Sequence, residues 1–350
     1  MSKVFIFTDT HLGARSNSTE WMDIMEEAHF KFIIPTIKKH FKPGDIIINC
    51  GDVFDNRTSI NVKSMDLGIK IYEELSKIGP VHIIAGNHDI YYKTSTEISS
   101  LDILKYIPNV TVHKDVNVLE HDTIKFLMMP WQKDVKEEAE TLQKYQKEHS
   151  CHYAFMHGTF SLIKYNKYVK IDKNDGANPK SADGYKKVYT GHIHWSQQKG
   201  NINVVGTPYQ ITRGDSGNSK GMFVLDLETG KETFYENTIS PKFIQFTIDK
   251  ITKEQMMDIN EQSKNNFVDI NIKEKLLSTN SSKLTKVFHK IGEKARLLNI
   301  FPIESDYGEI DDGSSSLDAK ELINKEIDNR FKGEDNKKAR KIFENLFKGI

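Results

Sequence analysis

Five short apolar runs, at residues 4–7, 46–49, 81–85, 153–156 and 187–190, each lead into metal-competent side chains. They are Asp9 with His11, Asp52, Asn87 with His88, His157, and His192 with His194. Runs of this length rich in Val, Ile and Phe read as strands, and the stretches between them carry helical spacing of apolar residues. Alternation of strand and helix predicts an open α/β sheet, and such sheets bind ligands beyond the carboxyl ends of their strands. Side chains far apart in sequence are therefore expected to converge on one crevice. Gly51, Gly86, Gly158 and Gly191 adjoin these positions. They are expected where a chain leaving a strand turns sharply through backbone angles costly for other residues.

Residues 20–40 place Trp21, Ile24, Met25, Ala28, Phe32 and Ile33 near one helical face, with Pro35 expected to kink or interrupt the helix. A second helix is expected over 60–78, where Met65, Ile69, Tyr72 and Leu75 follow three-and-four spacing and Gly79-Pro80 stops it. From Val110 the pattern changes to hairpins: 116–119 with 124–129 around His121-Asp122, and 222–226 with 232–235 around Glu228-Thr229-Gly230. Residues 1–240 thus read as a layered α/β sandwich. After Ser240-Pro241, strand candidates at 243–248 and 267–272 flank a helix near 252–262, predicting a small α+β cap over 241–303. Residues 304–316 are acidic, bear Gly and Ser, and contain no Lys or Arg, as a flexible linker would. Beyond it, 317–350 carry two apolar helical stripes, Leu322, Ile323, Ile327 and Phe331, then Ile342, Phe343, Leu346 and Phe347. Stripes beyond a linker are expected to be covered by a partner.

Lysine plus arginine and aspartate plus glutamate both number 49, so no global field draws the chain to a polyanion and any nucleic-acid contact must be local. Cys50 and Cys151 are too few for a disulfide framework and fit a reducing compartment. No apolar stretch approaches the ~20 residues that span a bilayer. The expectation is a cytoplasmic protein with no membrane partner.

Asp9-Thr10-His11, Gly51-Asp52-Val53-Phe54-Asp55, Gly86-Asn87-His88-Asp89, His157-Gly158 and Gly191-His192-Ile193-His194 resemble, in order, the five motifs of the calcineurin-like metallophosphoesterases. The resemblance implies an α/β/β/α sandwich with a cap domain and a helical tail. Leu12-Gly13, Asp55 in place of an arginine-glycine pair, and Asp89 in place of glutamate are similar to the SbcD-like DNA nucleases and their phage counterparts. Gly206-Thr207-Pro208 and Thr212-Arg213-Gly214-Asp215 look similar in that group. Many eukaryotic and archaeal relatives carry histidine where Asp55 stands, so Asp55 is expected to support a ligand and not to be one.

The resemblance further implies a first divalent ion on Asp9, His11 and His194, a second on Asn87, His157 and His192, and Asp52 bridging them. Mixed oxygen and nitrogen donors suit manganese, iron or zinc; manganese is the family expectation, with magnesium as the alternative. Two such ions lower the pKa of a shared water towards about 7 and neutralise charge developing on the phosphate. His88, beside Asn87 but off the metal in the family, is the implied proton donor to the leaving group. Asp89 is expected to orient His88 or to cap the segment after it. His29, His40, His82, His113, His121, His149, His152 and His289 are expected in ordinary surface or packing roles.

Arg15, Arg57, Tyr91, Tyr92, Lys93, Lys164, Tyr165, Lys167, Tyr168 and Arg213 flank the motifs in sequence and are candidates for touching phosphates or stacking bases. DNA as substrate is what the resemblance implies. It also implies an exonuclease on duplex ends and an endonuclease on single strands, acting as one subunit beside an SbcC-like coiled-coil ATPase bound through 317–350. A homodimer goes with it; whether the copies pair through the helices near 20–40 and 60–78 is left open by the sequence. The segment from Gly214 to Lys220 has the wrong spacing for a Walker loop, so ATP hydrolysis is assigned elsewhere. Two other readings remain: a general phosphodiesterase or phosphatase, and a non-catalytic scaffold that holds DNA ends.

Overall fold

A computed structural model describes residues 2–92, 95–303, 336, 337 and 340. Lys93, the expected linker 304–316 and, apart from those three positions, the expected segment 317–350 lie outside the described residues. The chain divides into a unit Met1–Ile303 and a unit Glu304–Ile350; the following concerns the first.

In chain order the strands are β1 (Lys3–Phe7), β2 (Ile46–Asn49), β3 (Val81–Ile84), β4 (Ile90–Tyr92), β5 (Ser95–Ser99), β6 (Val110–His113), β7 (Asn117–His121), β8 (Ile124–Met129) and β9 (Tyr153–His157). They continue with β10 (Lys187–Gly191), β11 (Gln197–Lys199), β12 (Ile202–Val204), β13 (Gly221–Asp226), β14 (Glu232–Glu236), β15 (Phe243–Ile248), β16 (Phe267–Lys273) and β17 (Leu297–Ile303). One sheet runs β14-β13-β1-β2-β3-β6 and a second β11-β12-β10-β9-β8-β7. In the first, β1, β2, β3 and β6 are parallel; in the second, β8, β9, β10 and β12 are.

Alternation along each strand explains the layering. Val4, Ile6, Ile46 and Ile48 point one way and pack against Phe126, Met128, Phe155 and Tyr189, forming the layer between the sheets. Phe5, Phe7 and Ile47 point the other way, into a core with Trp21, Ile24, Met25, Leu67 and Ile71. On the far side of the second sheet, Leu127, Met129, Ala154 and Met156 meet Leu142 of helix α4 (Val135–His149). Central strands buried on both faces read as continuous apolar runs, which is why the five runs are conspicuous in the sequence. The architecture is the expected α/β/β/α sandwich.

Residues 19–40 form one rod: α1 (Thr19–Glu27), a π-helical segment Ala28–Ile33, and α2 (Ile34–His40). Pro35 does not break the rod, because it occupies the first turn of α2, directly after the wider π-helical turns. In α3 (Val62–Ser76) the buried face is Ser64, Leu67, Gly68, Ile71, Tyr72 and Leu75. The expected stripe is therefore rotated: Met65 and Ile69 lie half-buried on its flank. Small residues cause the shift, since a Cβ on Gly68 would stand 2.8 Å from the Phe54 ring, and apolar periodicity does not register a glycine or a serine as core.

Strands β15, β16 and β17 make a separate parallel sheet. Helices α5 (Lys253–Gln262), α6 (Glu274–Thr279) and α7 (Ser281–Gly292) accompany it. This small layer has its own core of Ile248, Ile259, Ile270, Leu284, Phe288 and Ile291. Its seam with the sandwich is aromatic and charged. Trp21 stacks flat on Phe267, centroids 5.3 Å apart, and the Arg213 guanidinium meets the Asp269 carboxylate at 2.5 Å.

Candidate metal centre

β1, β2 and β3 are parallel neighbours, as are β9 and β10, so their carboxyl ends deliver loops to one edge of the sandwich. The loops are laced together: Asp9 N–H donates to the Gly51 carbonyl (2.9 Å), His11 N–H to the Asp52 carbonyl (3.0 Å), and His192 N–H to Asp9 Oδ1 (3.0 Å). Asp9 (φ 52°), His11 (43°), Asp52 (52°) and His192 (81°) all hold left-handed backbone. Such angles in residues other than glycine cost roughly 1–3 kcal/mol each and cluster where a side chain must be aimed.

The glycines serve differently from the expectation. Gly51 does take a left-handed angle, φ 104°, but Gly86, Gly158 and Gly191 do not. They are needed for room: a Cβ on Gly86 would strike the Asp52 carboxylate, one on Gly191 the Thr8 hydroxyl, and one on Gly158 the Glu138 carboxyl at 2.5 Å. Close approach of loop to loop, more than turning, fixes these three positions.

Donor atoms gather in three overlapping groups, Asp9 with His11 and His194, Asp52 with His157 and His192, and His11 with Asp52 and His88, each within 4.8 Å. Nε2 of His11 lies 3.0 Å from Nε2 of His194 and 3.6 Å from Oδ2 of Asp52. The same Asp52 oxygen lies 3.3 Å from Nε2 of His157, placing this carboxylate between the two imidazoles. Oδ1 of Asn87 is 3.1 Å from Nε2 of His157 and 2.7 Å from Nδ1 of His192. Nδ1 of His157 is turned away, 2.8 Å from the Cys50 carbonyl, which aims Nε2 at the cluster. Carboxylate, carboxamide and imidazole converging without a thiolate fit a divalent ion of the manganese, iron or zinc type.

The electrostatics agree with that fit. Burial alone would depress the histidines, yet Asp52, Asp9 and a hydrogen bond to Cys50 lift His157 to about 10, and Asp55, Asp52 and Asp9 lift His11 to about 9. Burial works to raise Asp52, but the charge of His157 outweighs it and holds this carboxyl well below the usual range. Burial, aided by His157, pushes His192 down to about 4, and burial aided by His11 pushes His194 to about 3. Asp52 and the charged forms of His11 and His157 thus favour one another, whereas burial pushes the Asp9 carboxyl up, and a cation taking these donors competes with their protons.

Residues around the cluster hold it in place. Oδ1 of Asp55 is 3.2 Å from Nδ1 of His11, and the Asp55 carbonyl is 2.5 Å from Nδ1 of His88. A carbonyl only accepts, so His88 Nδ1 carries a proton there. Asp89 does not orient the His88 ring. Its buried carboxylate instead accepts from the backbone N–H of Asp52 (2.8 Å), Gly86 (2.9 Å), Val53 (3.1 Å) and Phe54 (3.3 Å), stapling two loops. Burial and the Asp52 charge push its pKa up to about 7. Lys220 escapes a sequence reading altogether: buried, it donates to the His194 carbonyl (2.6 Å) and to Asp215 (2.7 Å). No periodicity or motif spacing marks such a lysine.

Two of the expected DNA contacts are engaged elsewhere. Arg15 donates to the Ile211 carbonyl (3.0 and 2.8 Å) and lies over the Trp21 ring, and Arg213 pairs with Asp269. Both cations tie loops of the sandwich to their neighbours. Arg57 is half-exposed, and Tyr91 and Tyr92 are exposed on β4, edge to face at 4.7 Å.

A family model described as calcineurin-like phosphoesterase matches residues 2–239. Exonuclease subunit 1 of Enterobacteria phage T4 is 28% identical over 237 residues, which is 67% of this chain and 68% of that protein. Among solved structures, an archaeal phosphodiesterase is 15% identical, covering 67% of this chain and 99% of its own with a TM-score of 0.34. A protein of unknown function from Aquifex aeolicus is 15% identical, covering 57% and 83%, with a TM-score of 0.29. Among the described residues no helix is long and apolar enough to cross a membrane.

Proposed function

Because the chain belongs to the calcineurin-like phosphoesterase family, we propose that it is a metal-dependent DNA nuclease, an exonuclease on duplex ends and an endonuclease on single strands. The observation that carries this reading is the convergence of Asp9, His11, Asp52, Asn87, His157, His192 and His194 from five strand ends. Similarity to a phage exonuclease subunit points the same way on substrate. Two bound manganese ions, or magnesium in their stead, one on Asp9, His11 and His194 and one on Asn87, His157 and His192 with Asp52 shared, would supply an acidified water and positive charge for the scissile phosphate.

The remaining work falls to the chain. Asp55 fixes the rings of His11 and His88 from behind, through its carboxylate and its carbonyl respectively. With Nδ1 so occupied, His88 has Nε2 left to deliver a proton to the departing oxygen. A His88→Ala variant is expected to lose ~10²–10⁴ in turnover while keeping its manganese, since acid catalysis contributes about that much. Single-turnover cleavage of a linear duplex beside a metal titration checks it: undiminished cleavage removes His88 from the mechanism, and lost manganese makes it a ligand.

The same reading makes the chain one subunit, as a homodimer, of an SbcCD-like recombination and repair complex in which residues 317–350 clamp a coiled-coil ATPase. Two apolar stripes in that sequence support it. Deleting 317–350 should abolish co-purification with the ATPase, and a complex that survives the deletion would rule the clamp out. Substrate class is tested with manganese on linear duplex, single-stranded DNA and bis(p-nitrophenyl) phosphate, with and without the ATPase. Hydrolysis of the small ester alone would favour a general phosphodiesterase, and DNA binding without cleavage a scaffold.

A further inference from the structure

Beyond His157 the chain leaves β9 and forms a hairpin at residues 162–171 with the sequence Leu-Ile-Lys-Tyr-Asn-Lys-Tyr-Val-Lys-Ile. It is tightly held. Leu162 N–H donates to the Ile171 carbonyl (3.0 Å), Ile171 N–H to Ile163 (2.8 Å), and Tyr165 N–H to Val169 (2.8 Å). At the tip, Asn166 Oδ1 accepts from the N–H of Tyr168 (2.8 Å) and of Val169 (2.9 Å). At the base, Ile163 is buried in the core of the second sheet, and Lys164 exchanges backbone bonds with the Gln197 side chain (2.8 and 2.7 Å), three residues beyond His194. The first arm of the hairpin is thus anchored beside the segment that carries His192 and His194.

What this frame displays is unusual for a surface. Tyr165 is 54% exposed, Tyr168 75%, Leu162 47% and Val169 51%. Lone exposed apolar residues are ordinary, but four within one fixed ten-residue hairpin concentrate apolar surface that folding leaves uncovered. Lys164, Lys167 and Lys170 are interleaved with them and no carboxylate occurs within the hairpin; Lys167 lies over the Tyr168 ring, 5.6 Å from its centroid, so cation and aromatic plane sit side by side. Aromatic planes alternating with cations that no carboxylate of the hairpin neutralises match a chain of phosphates carrying accessible base faces. A duplex hides those faces inside its stack; an unpaired strand presents them.

The geometry points to the hairpin 162–171 as a platform on which Tyr165 and Tyr168 stack the bases of single-stranded DNA while the lysines follow its backbone. This rests on the nuclease reading above and adds to it which surface engages an unpaired strand. The test is fluorescence anisotropy of the full chain in EDTA, with labelled oligodeoxythymidylate and a blunt duplex of equal length. Tyr165→Ala with Tyr168→Ala is expected to weaken oligodeoxythymidylate binding by about 10-fold or more, as loss of base stacking does, and duplex binding by less than about twofold. Tyr165→Phe with Tyr168→Phe keeps the planes and should keep the affinity. Replacing Lys164, Lys167 and Lys170 by glutamine should flatten the salt dependence of log Kobs by about 2, given ~0.7 per phosphate contact on single strands. Unchanged oligodeoxythymidylate affinity in the double alanine variant overturns the platform and leaves this face to a protein partner. If the wild type binds as expected yet cleaves no DNA when manganese replaces the EDTA, the nuclease reading falls and the platform stands; cleavage with tyrosine-independent binding is the converse.

Discussion

An Asp52→Asn variant is expected to bind manganese at least ~100-fold more weakly than the parent chain and to lose phosphodiester hydrolysis with it. Altering a group that merely supports a ligand already costs about 10–100-fold in metal affinity, and the Asp52 oxygen is itself one of the gathered donor atoms. Its Oδ2 lies 3.6 Å from Nε2 of His11 and 3.3 Å from Nε2 of His157, so one carboxylate serves both halves of the cluster. The side chain is 1% exposed, and Oδ1 accepts the N–H of His88 at 2.8 Å. Asparagine keeps the shape and that hydrogen bond but removes the charge. Calorimetric titration with manganese, beside a circular dichroism spectrum to show an intact fold, measures the effect. Affinity within a few-fold of the parent would mean that no ion is shared through Asp52.

The second large effect is structural. Asp89→Ala is expected to destabilise the fold by about 3–5 kcal/mol, because a buried carboxylate accepting several backbone N–H groups leaves each of them unsatisfied when removed, at about 1–3 kcal/mol apiece. The donors are Asp52, Gly86, Val53 and Phe54, which belong to the loops after β2 and β3. Some will find water, so the sum is not fully realised. A melting temperature lower by roughly 5–10 °C follows, with manganese affinity reduced because Asp52 and Asn87 ride on the freed loops. A melting temperature within about a degree of the parent would show that the staple contributes little.

The contrast between these two aspartates shows what a sequence carries and what it omits. Asp52 is legible because β2 is a central strand, apolar on both faces, that ends abruptly in a polar side chain. Asp89 stands in the same kind of motif, but its work is done on backbone amides of another loop, and no side-chain pattern records where amides will lie. The small helical stripe of α3 is displaced for a related reason, since Gly68 is buried by the close approach of Phe54 and Ser64 by its contacts with Asn17 and Met22, and not by hydrophobicity. Strand β17 and helices α6 and α7 are not visible in the sequence: β17 is exposed or half-exposed at every position, with no clean alternation. Arg15 and Arg213 read as free cations in sequence, yet each is held, one by a carbonyl and an indole, the other by Asp269. Charge is visible in a sequence, whereas its partner across a fold is not.

Counting metal is the most direct check on the central claim, that side chains from five strand ends form one binuclear centre. Purified chain dialysed against manganese and analysed by plasma emission should hold two ions per polypeptide, with Asp52→Asn holding fewer. Recovery of no stoichiometric manganese at saturation would contradict the account at its root.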